Sequence, residues 1–161
     1  MIRQATTQDV KQIAALLRHK AKLLQAGGSE QWSAYLKADL DALVAADFSA
    51  GRLYVYEQDS RLLGSIALLP SLDWDKALWD DAEGLYIHRI VVSESAKGLG
   101  VGKQLIQHVI AVAIAEQECL RLDCVATNSF LNTYYPSFGF ESRGIRDGFS
   151  TYEYPVAVLS H

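Results

Sequence analysis

The residues best placed by type and spacing to do chemistry lie between Gly84 and Lys103, in the stretch GLYIHRIVVSESAKGLGVGK. It opens as a β-branched and aromatic run and breaks at Ser93 to Ala96. It closes with Lys97-Gly98-Leu99-Gly100-Val101-Gly102, just before a long apolar helical pattern. Strand, glycine loop and helix in that order make a seat for a phosphate. Glycine lets the backbone approach a ligand closely, and the free N–H groups of the first helical turn point at the anion with the helix dipole behind them. Two familiar phosphate loops fail on their residues. A dinucleotide fingerprint reads G-x-G-x-x-G, whereas Gly98, Gly100 and Gly102 step by two, and no acidic residue ends a second strand at the usual distance. A nucleoside-triphosphate loop reads G-x-x-x-x-G-K-[ST]. Here Gly102-Lys103 is followed by Gln104, and the first glycine position of that spacing is Lys97.

The elements around this loop follow from hydrophobic period. Ile2 to Ala5 reads as a short strand. Thr6 or Thr7 can cap a helix whose apolar positions Val10, Ile13, Ala14, Leu17, Ala21 and Leu24 run to the Gly27-Gly28 stop. Ser29 can cap a second helix through Ala46, with Phe48 to Gly51 as a turn. Arg52 to Glu57 and Leu62 to Leu69 form a hairpin across Asp59-Ser60-Arg61, and Pro70 to Glu83 reads as a loop. Gly84 to Val92 is the most β-prone strand, and Gly102 to Glu118 is a helix apolar on nearly every face, which predicts burial. Leu120 to Ala126 is a strand, Asn128 to Ser137 a short helix or turn, and Thr151 to Leu159 a last strand. The hairpin implies antiparallel pairing. The helix between the 84–92 and 120–126 strands implies a parallel crossover. With no linker or repeat, residues 1–161 read as a single domain.

The loop and a second motif together resemble the GNAT-type N-acetyltransferases, whose pyrophosphate loop is [QR]-x-x-G-x-[GA]. Lys97-Gly98-Leu99-Gly100-Val101-Gly102 fits it, with Lys97 in the Gln/Arg place. That family also reads N-x-x-[A]-x-x-x-Y-x-x-x-G-F after its fifth strand. Asn128, Leu131, Tyr135, Gly139 and Phe140 match those spacings, Leu131 standing where a small residue is expected. The resemblance covers Arg52 to Phe140 well and the two N-terminal helices loosely. It implies an α/β fold with a mixed, mostly antiparallel sheet of about six or seven strands. Helices flank both faces, and the sheet splays between its fourth and fifth strands.

The resemblance also implies roles. Acetyl-CoA is the co-substrate, and no metal is required. Lys97, Gly98, Leu99, Gly100, Val101, Gly102 and Lys103 hold the pyrophosphate. The backbones of Ile90, Val91 and Val92 pair with the extended pantetheine arm. Asn128 and Asn132 contact the cofactor amide or cap the turn. Tyr135 protonates the departing thiolate as general acid. The acetyl group goes to a primary amine of a small molecule or peptide by direct attack in a ternary complex. A non-catalytic acyl-CoA-binding or sensor module is the alternative, and a nucleotide-binding module a third reading.

The base that deprotonates the acceptor is chosen among Glu83, His88 and Asp123. His88 shares strand parity with Ile90 and Val92 and is the catalytic candidate beside Tyr135; a hydrogen-bonded structural histidine is the equal alternative, and a water chain to bulk, which leaves no signature, is another. Asp123 can instead pair with Arg89 or Arg121. The loop LDWDKALWDDAE combines acids and tryptophans. It serves either as a solvated loop with Trp anchors or as a seat for a cationic amine. The bulk composition agrees with these readings. The chain has 161 residues, half of them hydrophobic, and a net charge of −4, which argues against a nucleic-acid partner. No apolar run is long enough for a membrane span, and the N-terminus lacks a signal region, so a cytoplasmic protein is expected. Cys119 and Cys124 fit no metal pattern and read as small buried hydrophobes. A homodimer is an open option that no sequence feature argues for.

Overall fold

The computed structural model describes residues 1–28 and 32–156. Seven strands form one mixed sheet in the order β1-β2-β3-β4-β5-β7-β6, flanked by helices. They are β1 Ile2–Gln4, β2 Arg52–Gln58, β3 Arg61–Leu69, β4 Leu85–Val92, β5 Leu120–Val125, β6 Glu141–Arg146 and β7 Phe149–Tyr154. The helices are α1 Val10–Ala26, α2 Leu40–Ala50, α3 Asp73–Leu78, α4 Val101–Glu116 and the single turn α5 Leu131–Tyr134. The expected fold class is the one observed, with six strands where the sequence marks them and β6 added.

β4 and β5 run parallel, and their ladder consists of Leu85 opposite Leu120 and Tyr86 opposite Arg121. It ends there, which is the splay expected between the fourth and fifth strands. On its other edge β5 pairs antiparallel with β7 along its whole length.

The chain divides into two compact units. The first comprises 1–68 and 89–106, the second 69–88 and 107–161. In the first, α1 contributes buried Ile13, Ala14, Leu17 and Ala21, and α2 contributes Leu40 and Val44. Gly64 of β3 is a point of close approach. A Cβ there would lie 2.8 Å from a Val101 methyl and 2.9 Å from the Val91 carbonyl oxygen, so only glycine fits beneath the start of α4. In the second, Leu78, Trp79 and Tyr86 form a core with Phe149 packed against it.

Several elements differ from the sequence reading. The second helix is capped by Asp39, which accepts from the Ala42 N–H at 3.1 Å, and it runs on to Ala50 through the segment read as a turn. Ser33 to Leu36 forms a separate 3-10 turn, and Ser29 lies outside the described residues. The 70–83 segment contains α3 rather than loop alone. β6 is exposed at every position, so it has no hydrophobic alternation to betray it, although Asp147-Gly148 after it is a hairpin signal. β7 starts two residues early, at Phe149, and the predicted strand's end at 157–159 lies outside the described residues.

Candidate active site

The glycine loop belongs to the first unit. Gly98 and Gly100 adopt φ of +84° and +75°, and a Cβ at either would meet nothing within 4 Å. These glycines are therefore required by backbone conformation, and the space over them is open. Leu99 N–H is spent on Ala96 O at 3.1 Å, and Gln104 N–H donates to Gly100 O at 3.1 Å. The amides of the first turn of α4, Val101 to Lys103, have no intrahelical acceptor. Free amides at the start of a helix suit an anion, and the residues present fit a diphosphate. The Lys97 side chain is largely exposed, 3.8 Å from Glu94. Leu99 is also exposed, whereas Val91 is buried in the core.

The same unit holds the C-terminal half of β4. Arg89 sits at φ +49°, in the left-handed region and inside a strand. The alternation of side chains is therefore interrupted between His88 and Ile90, and the shared parity read from the sequence does not carry across it. Arg89 is held there by an ion pair with Asp47 of α2, in which both nitrogen–oxygen contacts are short. Asp47 falls at i+7 from Leu40 and i+3 from Val44, so a charge on the buried face of a helix was its signal. Lys20 of α1 donates to the Ile90 carbonyl at 3.2 Å and lies 4.1 Å above the Trp32 ring. Burial holds its ammonium down to about 8. Lys20 shares the stripe of Ile13, Leu17 and Leu24, another charge on an apolar face that sequence reasoning passed over.

The second unit brings together the titratable groups. His88 Nε2 lies 2.8 Å from Asp75 Oδ2. Asp75 is buried and its Oδ2 also accepts the Leu72 N–H at 2.9 Å, while its Oδ1 is buried with no hydrogen-bond partner. Asp123 does not pair with an arginine. Arg89 is taken by Asp47, and Arg121 bonds Asp81, Glu153 and the Tyr86 hydroxyl. The Asp123 carboxylate instead accepts from Trp74 Nε1 at 3.1 Å, and burial pushes its pKa up, with the Trp74 hydrogen bond and His88 acting against that and Asp75 with it. Glu83 offers its backbone N–H to Asp81 Oδ1 at 2.9 Å and is exposed, which removes it from this cluster.

Tyr135 is buried against Phe140 and Tyr152, with ring centroids 6.2 and 6.4 Å away. Burial first, then Cys124, Tyr134 and Asp123, raise the pKa of its phenol, so the proton stays on it at neutral pH. Asn128 Oδ1 caps the Leu131 N–H at 3.0 Å. Asn132 donates to Asn128 O at 2.7 Å and accepts from the Tyr152 hydroxyl at 2.7 Å. Both asparagines thus anchor the turn that carries Tyr135. Cys124 is buried with its thiol pushed up to about 11, and Cys119 is half-buried; both are free. No group of three or more metal-ligating side chains occurs among the described residues, and none of their helices is long and apolar enough to cross a membrane.

The first unit carries a glycine turn with free amides before α4, and the β4–β5 ladder stops after two pairs. The second unit carries the His88–Asp75 pair and the buried Tyr135 phenol. The acetyltransferase (GNAT) family profile matches residues 18–140, and the chain belongs to that family. It is 33% identical over 145 residues to an uncharacterized N-acetyltransferase of Bacillus subtilis (strain 168), YesJ, covering 87% of this chain and 81% of that protein. A GNAT-family acetyltransferase from Listeria monocytogenes 4b F2365 superposes with a TM-score of 0.80 at 30% identity, over 95% of this chain and 92% of that one. A Brucella melitensis GNAT acetyltransferase solved in complex with acetyl-CoA shares the fold, with a TM-score of 0.64 at 23% identity, over 94% and 85%. The protein is an enzyme, and acetyl-CoA is the co-substrate of its family; the non-catalytic reading gives way.

Proposed function

We propose that this protein, as a single acetyltransferase domain, moves an acetyl group from acetyl-CoA to a primary amine of a small molecule or peptide by direct attack in a ternary complex. Bound acetyl-CoA supplies an activated thioester. Main-chain amides of Gly98, Gly100, Val101, Gly102 and Lys103 hold its diphosphate, the Leu99 amide being spent on Ala96, and the backbone of Ile90 to Val92 aligns its pantetheine arm. His88 takes a proton from the acceptor ammonium. Its Nε2–H is committed to Asp75, which leaves Nδ1 as the nitrogen free to accept a proton. Tyr135 gives its proton to the leaving sulfur. A cytoplasmic setting agrees with two free cysteines.

The observation that carries this reading is the Asp75–His88 contact in the same unit as the phenol held neutral by burial. It supplies a base and an acid, where a binding module needs neither. Tyr135→Phe tests it. Turnover measured by thiol release is expected to fall about 100-fold or more, with acetyl-CoA affinity by calorimetry nearly unchanged. Intact turnover would remove Tyr135 from the chemistry.

A further inference from the structure

In the second unit, Asp80, Asp81, Glu141 and Glu153 each face an arginine: Arg146, Arg121, Arg143, and Arg121 with Arg143 respectively. Asp123 is different. It is half-buried, one oxygen accepts from the neutral Trp74 indole at 3.1 Å, and no lysine or arginine lies within ion-pair reach among the described residues. Beside it is a second carboxylate, Asp75, buried and with Oδ1 unpartnered. His88 is hydrogen-bonded to Asp75 and acts electrostatically on Asp123, and among the described residues no lysine or arginine pairs with either carboxylate. Folding tolerates an uncompensated, partly desolvated charge only at a cost, so such a site calls for a positive ligand.

We propose that Asp123 is the counter-ion for the acceptor's ammonium group, and that the enzyme selects primary amines that arrive as cations with no carboxylate beside the nitrogen. This rests on the reading of His88 and Tyr135 as base and acid. A carboxylate on the acceptor's α-carbon would meet Asp123 and Asp75 and be repelled. Trp74, 48% exposed and set edge-on to Phe149 at 4.9 Å, offers a flat apolar wall for the body of the amine. Asp123 is not consumed. The ammonium passes one proton to His88, and its nitrogen bonds the acetyl carbon as the carbon–sulfur bond breaks. The sulfur takes the Tyr135 proton, and the nitrogen's second proton restores the phenol. One proton remains on His88 for solvent, which balances ammonium plus thioester against amide, thiol and proton.

The test compares phenethylamine with phenylalanine, and wild type with Asp123→Asn, which keeps an acceptor for the Trp74 indole. Wild type is expected to use phenethylamine at least ~10-fold better in kcat/KM. The variant should raise KM for that amine ~10–100-fold, as loss of a charge-assisted hydrogen bond does, with a much smaller change in kcat and a narrowed preference. A second readout needs no turnover. Without acetyl-CoA, millimolar phenethylamine should raise the melting temperature of wild type and not of the variant. Asp123 faces His88 of β4, Asp75 and Trp74 of α3, Tyr135, and its neighbour Cys124. Because folding disfavours its ionised form, wild type gains stability as pH falls through the carboxylate range. Asp123→Asn should therefore be the more stable protein at pH 7, and its advantage should shrink toward pH ~4. An amine-dependent shift lost in the variant, but with no thiol release from either protein, keeps the ammonium seat and sinks the transfer reading. Transfer with an unchanged KM in the variant, a preference for phenylalanine, or no amine-dependent shift in wild type overturns the seat.

Discussion

At the residue scale, His88 depends most on a partner that spacing does not reveal. On the proposed reading, the imidazole is a directed base because Asp75, thirteen residues earlier, takes Nε2 at 2.8 Å. Asp75 also accepts the Leu72 N–H, so a structural role must be told apart from a positioning one. The two variants at this position separate them. Asp75→Asn keeps a carbonyl for Leu72, but its amide can donate to Nε2 and drive the proton to Nδ1, the wrong tautomer for a base. Asp75→Ala loses the Leu72 contact and leaves the tautomer free. Positioning predicts that Asn loses more activity, ~100-fold in kcat/KM, while Ala loses more stability. A purely structural Asp75 gives the Ala variant both losses. Thiol-release kinetics and thermal melts on the same preparations decide it. Asp75 was visible in the sequence only as one acid among several in LDWDKALWDDAE, because nothing in that string says which acid turns inward.

At the element scale, boundaries are set by caps and by charges that hydrophobic period ignores. The second helix starts at Leu40 because Asp39 satisfies the Ala42 amide, whereas the sequence reading chose Ser29 as the cap. Asp39→Ala should cost about 1 kcal/mol, read from urea unfolding, with acetyl-CoA affinity unaffected. Gly64→Ala should cost more, about 1–3 kcal/mol, since the new methyl meets the Val91 carbonyl as well as a valine side chain, and only the latter can turn away. An equally stable Gly64→Ala protein would mean that β3 and the start of α4 are less closely packed than described. The hairpin of β2 and β3, β4, α4 and β5 were legible because each carries a strong period or a marked turn. β6 was not, being exposed on both sides. Its partner β7 was read from the sequence, two residues short at its start.

At the scale of the whole molecule, the second unit is held by a polar centre as well as an apolar one. The Arg121 side chain is 7% exposed and contacts Asp81, Glu153 and the Tyr86 hydroxyl, with its guanidinium 4.3 Å from the Trp79 ring centre. Burial alone would lower its pKa, but these partners raise it, so the charge is permanent. Among the described residues, removing it leaves Glu153 with Arg143 as its ion-pair partner. Arg121→Met is expected to destabilise the protein by about 3–5 kcal/mol in chemical unfolding. A loss below about 1 kcal/mol would show that the network is solvated.

The sequence by itself determined the local features: the order of strands and helices, the glycine loop whose positive φ angles only glycine takes without strain, and the Asn128-to-Phe140 motif that brings Tyr135. Each is written within a few consecutive residues, where period, steric limits and spacing act directly. Only the tertiary structure decided which charges meet. Asp47 found Arg89, Asp75 found His88, Lys20 found the Ile90 carbonyl, and Asp123 found the Trp74 indole. Electrostatic partners are chosen through space at ångström range, and residues separated by 13, 42 or 70 positions carry no mutual mark in the chain until folding sets them side by side.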